Sequence, residues 1–290
     1  MSRTFISLSL ASVTLSACTF IMGTDVGAGH QFVTLERPAD YNLVWSDEFS
    51  VDGAPDEANW AYDTYRNPDG WWNQEKQYYS GPRAKNARVE NGRLIIEARA
   101  EPTPIEQFPD TGGQVYTSAR LITKDRASWT YGYFEVRAKL PCGRGLWPAI
   151  WTLPQDRKKW PDDGEIDIME YVGWDTNRFH ATVHTKDRNH VKDNQIGATY
   201  TSRKACGAYH THSMLWTEDE IQIAVDGERY FRYLKTNENY GEWPFNAAHY
   251  LILNIAVGGG WGGRKGIDRR AFPARMEIDY VRVYQKPDAS

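Results

Sequence analysis

Between residues 164 and 170 the chain reads Gly-Glu-Ile-Asp-Ile-Met-Glu. Three carboxyl groups in six residues can supply a nucleophile and a general acid or base, or hold a hard cation. They can also be an ordinary solvated acidic strand. Read as a strand, period two places Glu165 and Asp167 on one face and Ile166 and Ile168 on the other, between layers. Strict alternation sends Glu170 to the apolar face and Met169 to the acidic one. One extra residue, a β-bulge near Ile168–Met169, returns Glu170 to its partners, and bulges re-aim single side chains beside active sites. Apolar residues between the acids, with Trp160-Pro161 before them and Tyr171 after, suit the floor of a cleft better than a solvated edge.

The elements that must carry this segment read as strands. Residues 133–140 alternate, with Phe134, Val136, Ala138 and Leu140 on one face and Glu135, Arg137 and Lys139 on the other. Residues 93–100 follow an Asn91-Gly92 turn. Residues 221–225 run into Asp226-Gly227 and then 228–233, a hairpin pattern, since both turn residues tolerate positive φ. Residues 250–257 and 276–284 complete the set. No segment has a long helical period; the short turns near 54–60 and 272–273 come closest. Many strands in one domain predict an all-β sandwich.

Composition adds a tilt toward sugar. There are 12 Trp, 17 Tyr and 10 Phe, and flat aromatic rings stack on the C–H faces of pyranoses as well as filling cores. A net charge of −4 gives no footprint for nucleic acid. At the N-terminus, Met1-Ser-Arg-Thr precedes a short apolar run and then Leu15-Ser-Ala-Cys18. That order predicts a secretory signal over 1–17. The tetrapeptide resembles a bacterial lipobox, which implies a lipid on Cys18, a tether over 18–40 and a folded domain over 41–287. Export to a bacterial membrane, on its outer-membrane side, is the expected location. Cys142 and Cys206 read as two unpaired thiols, although an exported compartment permits a bridge.

Further motifs accompany the acidic strand: Trp45-Ser-Asp-Glu-Phe49, Asn73-Gln-Glu-Lys-Gln-Tyr-Tyr79, Tyr116-Thr-Ser-Ala-Arg-Leu121, Gly145-Leu-Trp-Pro-Ala-Ile-Trp151, Thr182-Val-His-Thr185, Gly258-Gly-Gly-Trp-Gly262 and Ile278-Asp-Tyr-Val-Arg-Val-Tyr284. Together they resemble glycoside hydrolase family 16, in its bulged, laminarinase-like branch. The resemblance implies a β-jelly roll of two curved antiparallel sheets with a concave substrate cleft. It implies a retaining endo-hydrolase of β-1,3-glucan or mixed-linkage β-glucan, with Glu165 as nucleophile, Glu170 as acid/base and Asp167 between them. It further implies sugar contacts from Asn73, Arg120, Trp147, Trp151, Trp160, Trp261 and His184, the last facing the cleft near the acid/base. No cofactor is expected for catalysis. A structural calcium on the convex face would use Asp279 and the backbone of Gly92 and Glu48. The expected partner is the polysaccharide, bound by a monomer. The alternatives are the same mechanism on a marine galactan (agarose or carrageenan) and a non-catalytic glucan-binding jelly roll. The retained glutamates weigh against the second, and the absence of a basic cluster for sulfate weighs against the first. Lys76 departs from the pattern, where relatives commonly carry an apolar residue.

Overall fold

The computed structural model describes residues 33–287. The expected signal over 1–17, Cys18 and most of the tether lie outside the described residues. Residues 33–35, which fall within the expected tether, pack on the folded unit. Val33–Thr34 pairs with the strand Glu228–Leu234, and Leu35 is buried with its N–H donating to the Gly227 carbonyl. An apolar side chain and a backbone donor satisfied on the domain hold this segment to the folded unit.

Two antiparallel sheets form the sandwich. The convex sheet runs Val33–Thr34, Glu228–Leu234, Glu220–Val225, Tyr209–Trp216, Gly132–Lys139, Ala274–Gln285, Leu94–Ala98, Ala87–Val89, and Asn42–Asp47 also pairs with Ala274–Gln285. The concave sheet runs Ile196–Thr201, Arg178–His184, Glu165–Glu170, Leu146–Pro154, His249–Val257, Arg120–Ile122, Ala61–Tyr62. A short parallel pair, Gln77–Tyr79 with Tyr116–Ser118, stands beside them. The alternation predicted for 133–140 is present: Phe134, Val136, Ala138 and Leu140 are buried in the core, while Glu135, Arg137 and Lys139 are partly exposed. The Asp226-Gly227 turn has φ of 50° and 83°, as its hairpin needs. The described residues contain only 3₁₀ turns as helix, one of them Arg269–Ala271.

One expectation is overturned. Cys142 and Cys206 form a disulfide, with Cα atoms 5.3 Å apart across a separation of 64 residues. The turn before Leu146–Pro154 and the turn before Tyr209–Trp216 meet at one end of the sandwich. No local spacing in the sequence reveals that meeting.

Candidate active site

The strand Glu165–Glu170 lies between Leu146–Pro154 and Arg178–His184, and both registers slip in the same place. Toward the first neighbour, Asp167 faces Trp151 and Met169 faces Ile150, so one residue is extra. Toward the second, Asp167 faces Thr182 while Glu170 faces His180, three steps against two. Ile166, Ile168 and Met169 are all buried in the inter-sheet core. The bulge predicted from parity is therefore present at Ile168–Met169. It turns two successive side chains inward and leaves Glu165, Asp167 and Glu170 lining one cleft.

The cleft encloses about 520 Å³. Its carboxyl groups are held by indole N–H donors: Trp160 Nε1 donates to Glu165 Oε2 at 2.9 Å, and Trp147 Nε1 donates to Glu170 Oε1 at 3.0 Å. His184 Nε2 lies 3.4 Å from Asp167 Oδ2 and 3.8 Å from Glu165 Oε1. Burial lifts the Glu165 carboxyl to about 7, with Asp167 adding to the rise and His184 and the Trp160 N–H opposing it. Burial lifts Asp167 to about 8. Glu170 is raised well above the usual carboxylate range, first by burial and then by the charge of Asp167. Such a cluster retains protons at neutral pH, because three adjacent negative charges in a poorly hydrated cleft are too costly.

This constellation can deliver a proton from one carboxyl while another attacks, the chemistry of a two-carboxylate glycosidase. The family model for glycosyl hydrolases family 16 matches residues 73–282. The chain belongs to that family. It is a glycoside hydrolase of the jelly-roll type, and family-16 catalysis needs no cofactor. Among its relatives, a β-glucanase of Rhodothermus marinus is 48% identical over 260 residues, covering 86% of this chain and 87% of the relative. A glucan endo-1,3-β-glucosidase A1 of Niallia circulans is 36% identical, and there the match spans only 38% of the longer relative. Among solved structures, SCLam, a non-specific endo-β-1,3(4)-glucanase, superposes with a TM-score of 0.84 at 51% identity, covering 88% of this chain and 97% of that one.

The family-16 cleft gathers most of the expected residues. Asn73, Arg120, Trp147, Trp151 and Trp160 line it with the three acids. Trp147 and Trp151 share the concave face of Leu146–Pro154, as their spacing predicts. Trp151 donates from Nε1 to Asn254 Oδ1 at 2.7 Å. Arg120 is buried, pairs with Asp63 at 3.0 Å, and sits between the Trp71 and Trp151 rings. Trp261 stands further out, edge-on to Trp147 and to His180, with its carbonyl accepting from Trp174 Nε1.

In register His184 faces Glu165, where it is buried behind Trp160 and lies against the Glu165–Asp167 pair, and its charge also acts on Glu170. The histidine facing Glu170 is His180. Parity on the neighbouring strand puts both on the concave face, but only the pairing register tells which acid each one meets. Cleft residues that the sequence reading passed over are Glu75, Tyr79, Asn254, Tyr65 and His190. Of these, only Glu75 and Tyr79 fell inside a recognised motif.

Of the expected calcium ligands, the Asp279 carboxylate is paired with a guanidinium, whereas the backbone oxygens of Glu48 and Gly92 are untouched by side-chain pairing. Arg282 donates to both Glu48 carboxylate oxygens at 2.8 Å, and Arg137 donates to Asp279 Oδ2 at 2.5 Å. Gly92 sits in the positive-φ turn after Asn91. A cation held by Asp279 would compete with the Arg137 guanidinium for its carboxylate. Among the described residues, the acidic and histidine groups that do converge as a trio are Glu165, Asp167 and His184, with ligand atoms within 4.8 Å.

Proposed function

We propose that the protein is an endo-acting hydrolase of β-1,3-linked glucan, accepting mixed-linkage β-glucan, and that it works with retention of anomeric configuration. The observation that carries this reading is the bulged strand that places Glu165, Asp167 and Glu170 in one cleft, beside aromatic side chains able to stack on glucosyl rings. The glucan endo-1,3-β-glucosidase A1 and SCLam described above act on such glucans.

Glu165, unprotonated, attacks the anomeric carbon while Glu170 gives its proton to the departing glycosidic oxygen. A covalent glycosyl ester forms. Glu170, now a carboxylate, takes a proton from water, and that water cleaves the ester to restore Glu165. Asp167 with His184 holds Glu165 in place. Glu165 and Glu170 face residues four apart on the neighbouring strand, roughly 13 Å at the backbone. Two glutamate side chains leaning over Asp167 close that gap toward the roughly 5–5.5 Å that retention requires.

Product analysis on laminarin, lichenan, agarose and carrageenan tests the substrate. Short oligosaccharides from laminarin are expected, and activity confined to agarose would overturn the assignment. Glu165→Gln and Glu170→Gln should each lose activity by about 10³-fold or more. The Glu170 variant should still form an intermediate from substrates with activated leaving groups, whereas the Glu165 variant should not.

Cys18 as a lipid anchor for a monomeric enzyme on the outer-membrane side is part of the same proposal, supported by the lipobox-like Leu15-Ser-Ala-Cys18. Cys18→Ala should move the activity from the membrane fraction to the soluble one.

A further inference from the structure

One wall of the cleft is built by residues 72–79 and faces the catalytic strand. Asn73 and Gln74 both adopt left-handed backbone, with φ of 57° and 62°. Asparagine tolerates this region, whereas glutamine adopts it at a cost that the surroundings must impose. Those surroundings are visible. The Asn73 carbonyl accepts from Gly260 N–H at 2.7 Å, Glu75 forms a bridge with Gly258, and Lys76 N–H donates to the Val257 carbonyl at 2.8 Å. The double reversal swings the next side chain, Glu75, into the cleft.

Its carboxylate is then held by an amide that has no freedom to turn. Gln77 Oε1 accepts from Val257 N–H at 2.7 Å, which fixes Nε2 as the end that donates to Glu75 Oε2 at 2.8 Å. No cation pairs with Glu75 among the described residues. Arg120, whose charge favours ionised Glu75, is committed to Asp63. Burial lifts the Glu75 carboxyl to about 7. The Gln77 amide, the Arg120 charge and the Asn73 side chain oppose that rise without cancelling it, and an acid group compensated only in part is expensive to keep in a protein wall. Beside it, Trp151 donates to Asn254, and Asn254 donates to the Tyr79 hydroxyl, so the phenol proton is also free to point outward.

We propose that Glu75 is a substrate-binding, specificity-determining residue whose free carboxylate oxygen accepts a hydrogen bond from a ring hydroxyl of the bound glucan, on the wall opposite the catalytic strand. The assignment rests on the glucanase reading above. A lone carboxylate accepts from neutral hydroxyls and repels sulfate or uronate groups, so the same residue selects unsubstituted neutral glucan. In Glu75→Gln the new amide must turn its carbonyl to Gln77 Nε2 and present its NH₂ to the cleft, which replaces an acceptor with a donor.

The test is steady-state kinetics on laminarihexaose for the wild type, Glu75→Gln and Glu75→Asp, with thermal unfolding of each. Glu75→Gln should raise KM about tenfold or more, the loss expected for one charge-assisted hydrogen bond, with kcat falling less than about threefold. Glu75→Asp withdraws the carboxylate by one methylene and should also raise KM, which keeps the proposal testable if the glutamine variant fails to fold. An unchanged KM in either folded variant overturns the proposal, as does a fall in kcat at constant KM. Failure of the underlying reading looks different: the wild type itself would release no sugar from any β-glucan.

Discussion

At the scale of single residues, the site depends on where its protons sit. Glu165 is lifted to about 7 and Asp167 to about 8, and Glu170 is raised well above the usual carboxylate range. The proposed roles need the attacking group to lose its proton before the donating group does. Asp167 opposes ionisation of both glutamates and His184 favours it in both; Glu165 has the Trp160 N–H in addition, and Glu170 has the Trp147 N–H but also feels Glu165. Activity should therefore rise as Glu165 ionises and fall at higher pH as Glu170 loses its proton. The same shift has a consequence for stability. A carboxyl raised in the folded state contributes stability below its unfolded value of 4.5, and that contribution is lost as pH rises through about 7. Glu165→Gln removes this dependence. At pH about 8 the variant should be more stable than the wild type by on the order of 2–3 kcal/mol, and at pH about 4 the two should match. Chemical denaturation at both values measures this, and equal stability at the higher pH would refute the account of Glu165.

At the scale of elements, one residue decides the geometry. Removing Met169 leaves Glu-Ile-Asp-Ile-Glu, a strand in strict alternation with all three acids still on the cleft face. Met169 pairs with Ile150 while Ile168 has no partner on that side, so Glu170 keeps its places opposite Ala149 and His180 if Ile168 takes over the place opposite Ile150. The deletion should cost about 2–5 kcal/mol through the buried side chain, yet leave measurable glucanase activity. Deleting Ile166 should behave oppositely, since it turns Glu165 toward the core, and no activity is expected. Kinetics and unfolding of the two variants separate these outcomes. An inactive, folded Met169 deletion would mean that the bulge does more than restore parity. The catalytic strand was legible in the sequence because period two and one misplaced acid are enough to require a bulge. The Glu75 wall was not. Its direction comes from two left-handed residues held by a distant strand end and a glycine loop, and neither leaves a periodic trace.

At the scale of the whole molecule, the sheets could be anticipated from alternation, but the contacts between their ends could not. Phe134, Val136 and Ala138 announce an inward face in any sandwich. Which turns meet at its rim depends on the full strand order, and so the Cys142–Cys206 bridge goes against the reading of two separate thiols. The bridge links the turn before Leu146–Pro154, which carries Trp147 and Trp151, to the turn before Tyr209–Trp216 in the opposite sheet. It therefore ties the two layers together at the end from which the Glu170-bonded Trp147 projects. Closing a separation of 64 residues restricts the unfolded chain by about 4 kcal/mol in the chain-entropy picture. For a domain of this size that corresponds to a Tm lower by roughly 10 °C in Cys142→Ser/Cys206→Ser. Well below the transition the variant should still cleave laminarin, because no catalytic group touches the sulfur atoms. Calorimetry of the oxidised protein and the double variant measures the difference, and an unchanged Tm would show that packing between the layers, and not the bridge, holds this end of the sandwich closed.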